Sequence, residues 1–243
     1  MDRSWKSKVF QTIFAHPDNI RFKSQTPIVK EYLKDISQNN WAIDIGCGTG
    51  RSTKFLVPLA QSVVCIDPNP DMLRRVQQKL KVVGAYCSAI AESRKGVDNR
   101  LLLVQGKVER LPFKSGIFEI ALLLEVLEHI EDDKNGLYEV CRILKQDAKL
   151  IISTPCPPPA YPDTHHKRDG YTKKDMITLL ESIGFKIIAY KFCMFLWTRM
   201  ILKFAVNFII LFKFPPPVLF LLKLEQVFKK PPPFDIIVKA RKL

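Results

Sequence analysis

The sequence predicts a doubly wound α/β fold: a seven-stranded, mostly parallel sheet with a hydrophobic helical insertion before the last strand. Three observations predict it. Short, continuously apolar runs alternate with segments of helical periodicity, the pattern of strands covered on both faces. The first run closes in Asp44-Ile-Gly-Cys-Gly-Thr-Gly50, which reads as strand, tight turn and helix. The alternation then breaks after residue 191, where an apolar and basic stretch of about 40 residues replaces a short connection.

The elements follow in order. Ile28, Val29, Tyr32, Leu33 and Ile36 recur at helical spacing, so a basic helical cap over 1–40 precedes the sheet. Strand 41–45 leads to a helix near 51–59, and strand 62–66 to a helix near 70–81. A mixture of small, polar and charged residues makes 84–100 a surface loop. Strand 101–104 ends in a turn carrying Leu-Pro-Phe at 111–113, and strand 118–124 feeds a helix near 133–144. Strand 148–153 runs into the proline-rich loop 155–162. A helix near 172–183 stops at Gly184, a residue suited to a left-handed C-cap. Strand 185–190 completes the 41–191 core, and the final strand, within 233–243, rejoins it after the insertion at 192–232.

Composition narrows the function. Hydrophobic residues make up 47% of the 243, enough for a sizeable core. The formal charge of +14 calls for an anionic partner: a membrane surface, a nucleic acid or an acidic substrate. From residue 191 onward there are ten Lys/Arg against two Asp/Glu. Within the insertion, Arg199, Lys203 and Asn207 fall at i, i+4 and i+8 and form a polar stripe along an apolar helix. No uncharged stretch reaches the roughly 20 residues of a spanning helix. The insertion therefore reads as an interfacial element or as a lid over an apolar pocket. Six cysteines without a Cys-x-x-Cys pair, and an N-terminus without an apolar signal core, suit a cytoplasmic protein, peripheral to a membrane if the insertion touches one.

The glycine turn lies at the carboxyl end of its strand, where open parallel sheets bind ligands. Glycines there let a ligand lie against bare backbone. Asp67 closes the second strand 23 residues after Asp44, a position that suits ribose hydroxyls. Then come Gly106-Lys-Val-Glu-Arg-Leu-Pro-Phe113 and Phe118-Glu-Ile-Ala-Leu-Leu-Leu-Glu-Val-Leu-Glu-His129.

With Asp44–Gly50 and Cys65-Ile-Asp-Pro-Asn-Pro-Asp-Met-Leu73, this succession resembles the class I S-adenosylmethionine-dependent methyltransferases. It resembles in particular the type 11 domain of quinone and sterol methyltransferases, which have a Rossmann-like fold. The resemblance implies S-adenosylmethionine as cofactor. It implies that Gly46, Cys47, Gly48 and Gly50 cradle the methionine end and that Asp44 orients it from beneath. Asp67 would take the ribose, Pro68 and Met72 would pad the adenine, and Leu124 would border the sulfonium. The family's usual Asp at the adenine edge is replaced here by Lys107, a donor without an acceptor, next to Val108.

Glu125, Glu128 and His129 form Glu-x-x-Glu-His, with His165 and His166 downstream. The same signature in some relatives holds a divalent ion, and elsewhere in the superfamily it occurs without one. His166 or His165 is alternatively a general base. The reading carried forward is methyl transfer, by in-line attack on the sulfonium methyl, to a small lipophilic acceptor near a membrane surface. RNA methylation and a non-catalytic cofactor-binding role are the alternatives.

Overall fold

A computed structural model describes residues 17–35, 40–80, 101–158, 166–194 and 233–243. The elements are α1 (Pro17–Tyr32), β1 (Trp41–Ile45), α2 (Thr53–Leu56), β2 (Ser62–Asp67), α3 (Pro70–Leu80), β3 (Leu101–Gln105), β4 (Phe118–Leu124), α4 (Asp133–Ile143), β5 (Leu144–Pro155), α5 (Lys173–Ile183), β6 (Phe185–Cys193) and β7 (Asp235–Lys242). They form one seven-stranded sheet in the order β3-β2-β1-β4-β5-β7-β6. Only β7 runs against its neighbours, pairing antiparallel with both β5 and β6. The chain reverses direction across the sheet between β1 and β4, so the carboxyl ends of these strands flank the switch point.

Each strand buries what its apolar run predicts. Ile43, Ile45, Val64, Ile66, Leu123 and Ile152 face α4 and α5, where Leu137, Val140, Met176 and Leu180 close one core layer. Ala42, Val63, Ile120, Leu122 and Ile151 point the other way, onto Val29, Leu33 and Leu56 of the α1–α2 side. Leu73 and Val76 of α3 continue that second layer over Cys65 and Leu103.

The helix ends follow local chemistry. The Asp132 side chain accepts from the Asn135 N–H at the start of α4, and Thr172 caps α5 by accepting from the Asp175 N–H. Gly184 ends α5 at φ 106, a conformation that costs glycine little. α2 is shorter than the periodicity predicts, because Pro58 cannot continue a helix. β5 starts four residues before the predicted 148, straight out of α4. Its first half carries exposed residues and Asp147 at φ 62, so it reads as a loop. β6 runs on to Cys193, two residues into the stretch assigned to the insertion. Beyond it, the Phe234 N–H donates to the Met194 carbonyl at 2.7 Å, and Cys193 pairs with Asp235. The rest of the insertion, the loop at 84–100, residues 1–16 and 36–39 of the cap, and residues 159–165 after the start of the proline-rich loop lie outside the described residues.

Candidate active site

β1 delivers Asp44, buried at 2% exposure, to the base of a cleft of about 520 Å³. The Thr53 hydroxyl at the start of α2 donates to the Asp44 carboxylate at 2.6 Å. Burial pushes the Asp44 carboxyl up to about 7 against the opposing pull of that hydrogen bond.

The turn after β1 takes positive φ at Gly46, Gly48 and Gly50. A Cβ on Gly46 would meet Val126 Cγ2 at 2.5 Å, whereas one on Gly48 would stand in open space. Gly50 instead lets Val76 of α3 pack close, so its role lies in helix–sheet packing. The N–H groups of Gly46 and Cys47 donate to the Ile66 carbonyl, and that of Gly48 to Asp67 Oδ2 at 2.8 Å. At these positions the loop offers a ligand bare backbone rather than donors. The Cys47 thiol is pushed up by its hydrogen bond with Cys65 and by burial, which keeps it protonated.

Asp67, at the end of β2, also accepts from the Asn69 N–H at 2.9 Å. Each of its carboxylate oxygens thus holds one backbone donor and keeps a second lone pair. A second hollow of about 240 Å³ adjoins the cleft at Gly46 and His129, with Ile45, Ile66, Pro68, Val108 and Val126 among its apolar walls and Lys107 at its edge. Met72 and Leu124 line the main cleft. Bare glycine backbone, a held carboxylate and an apolar slot fit the methionine, ribose and purine parts of S-adenosylmethionine respectively.

Past Leu124 the cleft reaches Glu125, His129 and His166. The rings of His129 and His166 meet edge to face with centroids 4.8 Å apart. Their ligating atoms and a Glu128 carboxylate oxygen lie within 4.8 Å of one another. Glu128 is fully buried, and its carboxyl is driven well above the usual range, first by burial and then by the Glu125 charge. The trio can hold a proton or a divalent ion. His165 lies outside the described residues.

Glu125 does not join that trio. Held at φ 56, it accepts from Arg21 Nη1 at 2.5 Å, Gln25 Nε2 at 2.8 Å and Ser153 Oγ at 2.8 Å. Asp235, at the start of β7, sits beside it within 3.3 Å of Arg21 Nε and 3.2 Å of Gln25 Nε2. Burial pushes the Asp235 carboxyl up to about 8, with the Glu125 charge adding to the effect. Helix α1 is therefore part of the cleft wall through Arg21, Phe22 and Gln25. Sequence reading missed this group. The available signal was that Arg21 and Gln25 lie one turn apart, with the apolar positions Ile28, Val29 and Tyr32 following along the same helix.

The fold and this cleft define a Rossmann-like domain with a site for a nucleoside-bearing cofactor. Residues 43–152 match the family described as a methyltransferase domain, and this segment is similar to S-adenosylmethionine-dependent methyltransferases. The demethylmenaquinone methyltransferase of Lactiplantibacillus plantarum is 29% identical over 119 residues, 48% of this chain and 45% of that protein. The mitochondrial ubiquinone biosynthesis O-methyltransferase of Schizosaccharomyces pombe is 30% identical over 114 residues, 46% of this chain and 36% of that one. The chain thus spans less than half the length of these curated relatives. Among solved structures, a putative methyltransferase from Bacillus halodurans superposes with a TM-score of 0.61 at 19% identity, covering 88% of this chain and 98% of that one. An S-adenosylmethionine-dependent methyltransferase from Mesorhizobium loti gives 0.61 at 18%, covering 90% and 97%.

Proposed function

We propose that the protein methylates a small lipophilic acceptor from S-adenosylmethionine at a membrane surface on the cytoplasmic side. The observation that carries the reading is the continuity of the cleft, from the glycine turn past Leu124 to His129 and His166. When bound, S-adenosylmethionine supplies a methyl group on a cationic sulfur. Asp44, Asp67 and the glycine turn hold and orient it. A ring nitrogen of His166 accepts the acceptor's proton, with His129 packed edge-on to fix that ring. The lipophilic acceptor is supported by the apolar and basic 192–232 stretch and by the quinone-related names of relatives near 30% identity. No helix among the described residues is long and apolar enough to cross a membrane.

The test is transfer of methyl label from S-adenosylmethionine into fractionated host extract. Label in the lipid fraction is expected, and label confined to RNA moves the protein to the alternative reading. His166→Ala lowers transfer while leaving cofactor titration unchanged. Activity that is lost in chelator and restored by a divalent ion assigns the Glu128–His129–His166 trio to metal holding instead. Lys107 stands exposed at the edge of the purine slot. Lys107→Asp restores an acceptor there and tightens S-adenosylmethionine about fivefold by calorimetry, the worth of about one hydrogen bond.

A further inference from the structure

Helices α1, α2 and α3 cover one face of the sheet and carry seven Lys/Arg against three Asp/Glu. Helices α4 and α5 cover the other with four against four. Three described acids on that side, Glu31, Asp71 and the nearby Asp35, are already engaged. Glu31 is bound by Lys191, Asp35 by Lys239, and Asp71 by Arg74. Among the described residues, Lys30, Arg51, Lys54, Arg75 and Lys79 have no acidic partner.

These cations form one connected surface. Lys54 lies over the rings of both Phe22 and Phe55, at 5.5 and 5.2 Å, and Lys30 lies over Phe55 at 5.1 Å. The two rings stack at 5.9 Å with their planes 9° apart. Lys79 is lowered from its ordinary value by burial, with Lys54 and Arg51 repelling its proton as well. Like charges held this close cost free energy unless an anionic partner offsets it. The surface also meets the cleft, because Arg51, Arg75 and Phe22 line it.

We propose that the face carrying Lys30, Arg51, Lys54, Arg75 and Lys79 docks on an acidic lipid surface, so that the cleft opens against the bilayer. The lipid phosphates take the ammonium and guanidinium groups, and the Phe22–Phe55 pair lies beneath Lys54 as an apolar contact at headgroup depth. The interaction surface is thus assigned to the helices beside the cofactor rather than to the 192–232 stretch alone. It rests on the reading of a lipophilic acceptor and explains how such an acceptor reaches the cleft without crossing water.

The test uses the full chain with vesicles of phosphatidylcholine, with and without phosphatidylglycerol, scored by flotation. The rim variant is Lys30→Gln, Lys54→Gln and Lys79→Gln together, three exposed residues that do not line the cleft. The control variant is Lys114→Gln, Lys134→Gln and Lys174→Gln, which removes the same charge elsewhere. Binding that requires phosphatidylglycerol is expected. It should fall about a hundredfold in the rim variant, at about 1 kcal/mol per basic residue, and only a few-fold in the control. Unchanged binding by the rim variant, or equal losses in both variants, overturns the proposal while the methyl-label experiment still stands for the acceptor. Wild-type protein that ignores phosphatidylglycerol also overturns it. So does RNA that displaces wild type from vesicles and binds the rim variant more weakly, which makes the face a nucleic-acid surface.

Discussion

The two faces of the sheet handle charge in opposite ways. On the α4–α5 face, acids and bases meet one another at the surface. Arg142 binds Glu139 and reaches the carbonyls of Leu111 and Phe113 at 3.0 and 2.7 Å. Arg168 ties Asp133 and the Tyr171 hydroxyl to the carbonyls of Ile130 and Glu131. On the α1–α3 face Asp44 and Asp235 lie buried, Glu31, Asp35 and Asp71 are each taken by one base, and Lys30, Arg51, Lys54, Arg75 and Lys79 have no acidic partner among the described residues. The paired face is built for stability. The separated face holds carboxyls beneath the site that burial pushes toward their neutral form, and leaves positive charge on the outer surface.

The comparison is broken most severely at the turn between the two layers. Gly46→Ala drives a methyl group into Val126 at a position held at φ 67, so S-adenosylmethionine affinity by calorimetry falls at least about a hundredfold. Adding Val126→Ala relieves the clash and recovers part of the loss. On the paired face, Arg142→Ala strands Glu139 and two carbonyls and costs about 2 kcal/mol in urea unfolding.

Beneath the unpaired face, Asp235 titrates near 8 when folded against 3.8 for an ordinary aspartate. A raised carboxyl contributes stability that is complete below the lower value and is lost as pH climbs through the higher one. The melting temperature therefore falls between about pH 5 and pH 9, and Asp235→Asn flattens that slope. The smallest effect sharpens the contrast. Lys79→Gln removes only repulsion, so it leaves stability unchanged or raises it by about 0.3 kcal/mol, where Arg142→Ala destabilises.

How legible these features were depends on the distance over which they form. β1, β2 and β4 announce themselves because a strand covered on both faces is apolar along most of its length. The glycine turn is legible because its positive φ values restrict which residues serve there, and Asp67 because it closes the strand beside that turn. The Arg21–Gln25–Glu125–Asp235 group is not. Gln25 and Asp235 meet across 210 positions, and each alone looks like a solvated polar residue. The early start of β5 was hidden for a related reason, since Lys145, Gln146 and Asp147 are exposed strand residues beside a bulge. Lys30, Lys54 and Lys79 were visible only as part of the net charge until the helices set them side by side.

The hydrogen bond from Phe234 to Met194 closes the β6–β7 pair at the end where the chain departs and returns. The chain leaves β6 and re-enters β7 at neighbouring points, so the hairpin's register does not depend on what is threaded between. Loop length enters the free energy only logarithmically, at about 0.6 kcal/mol per doubling. A change in the number of residues between Met194 and Phe234 therefore costs the β6–β7 pair little, and Asp235 keeps its place beside Glu125.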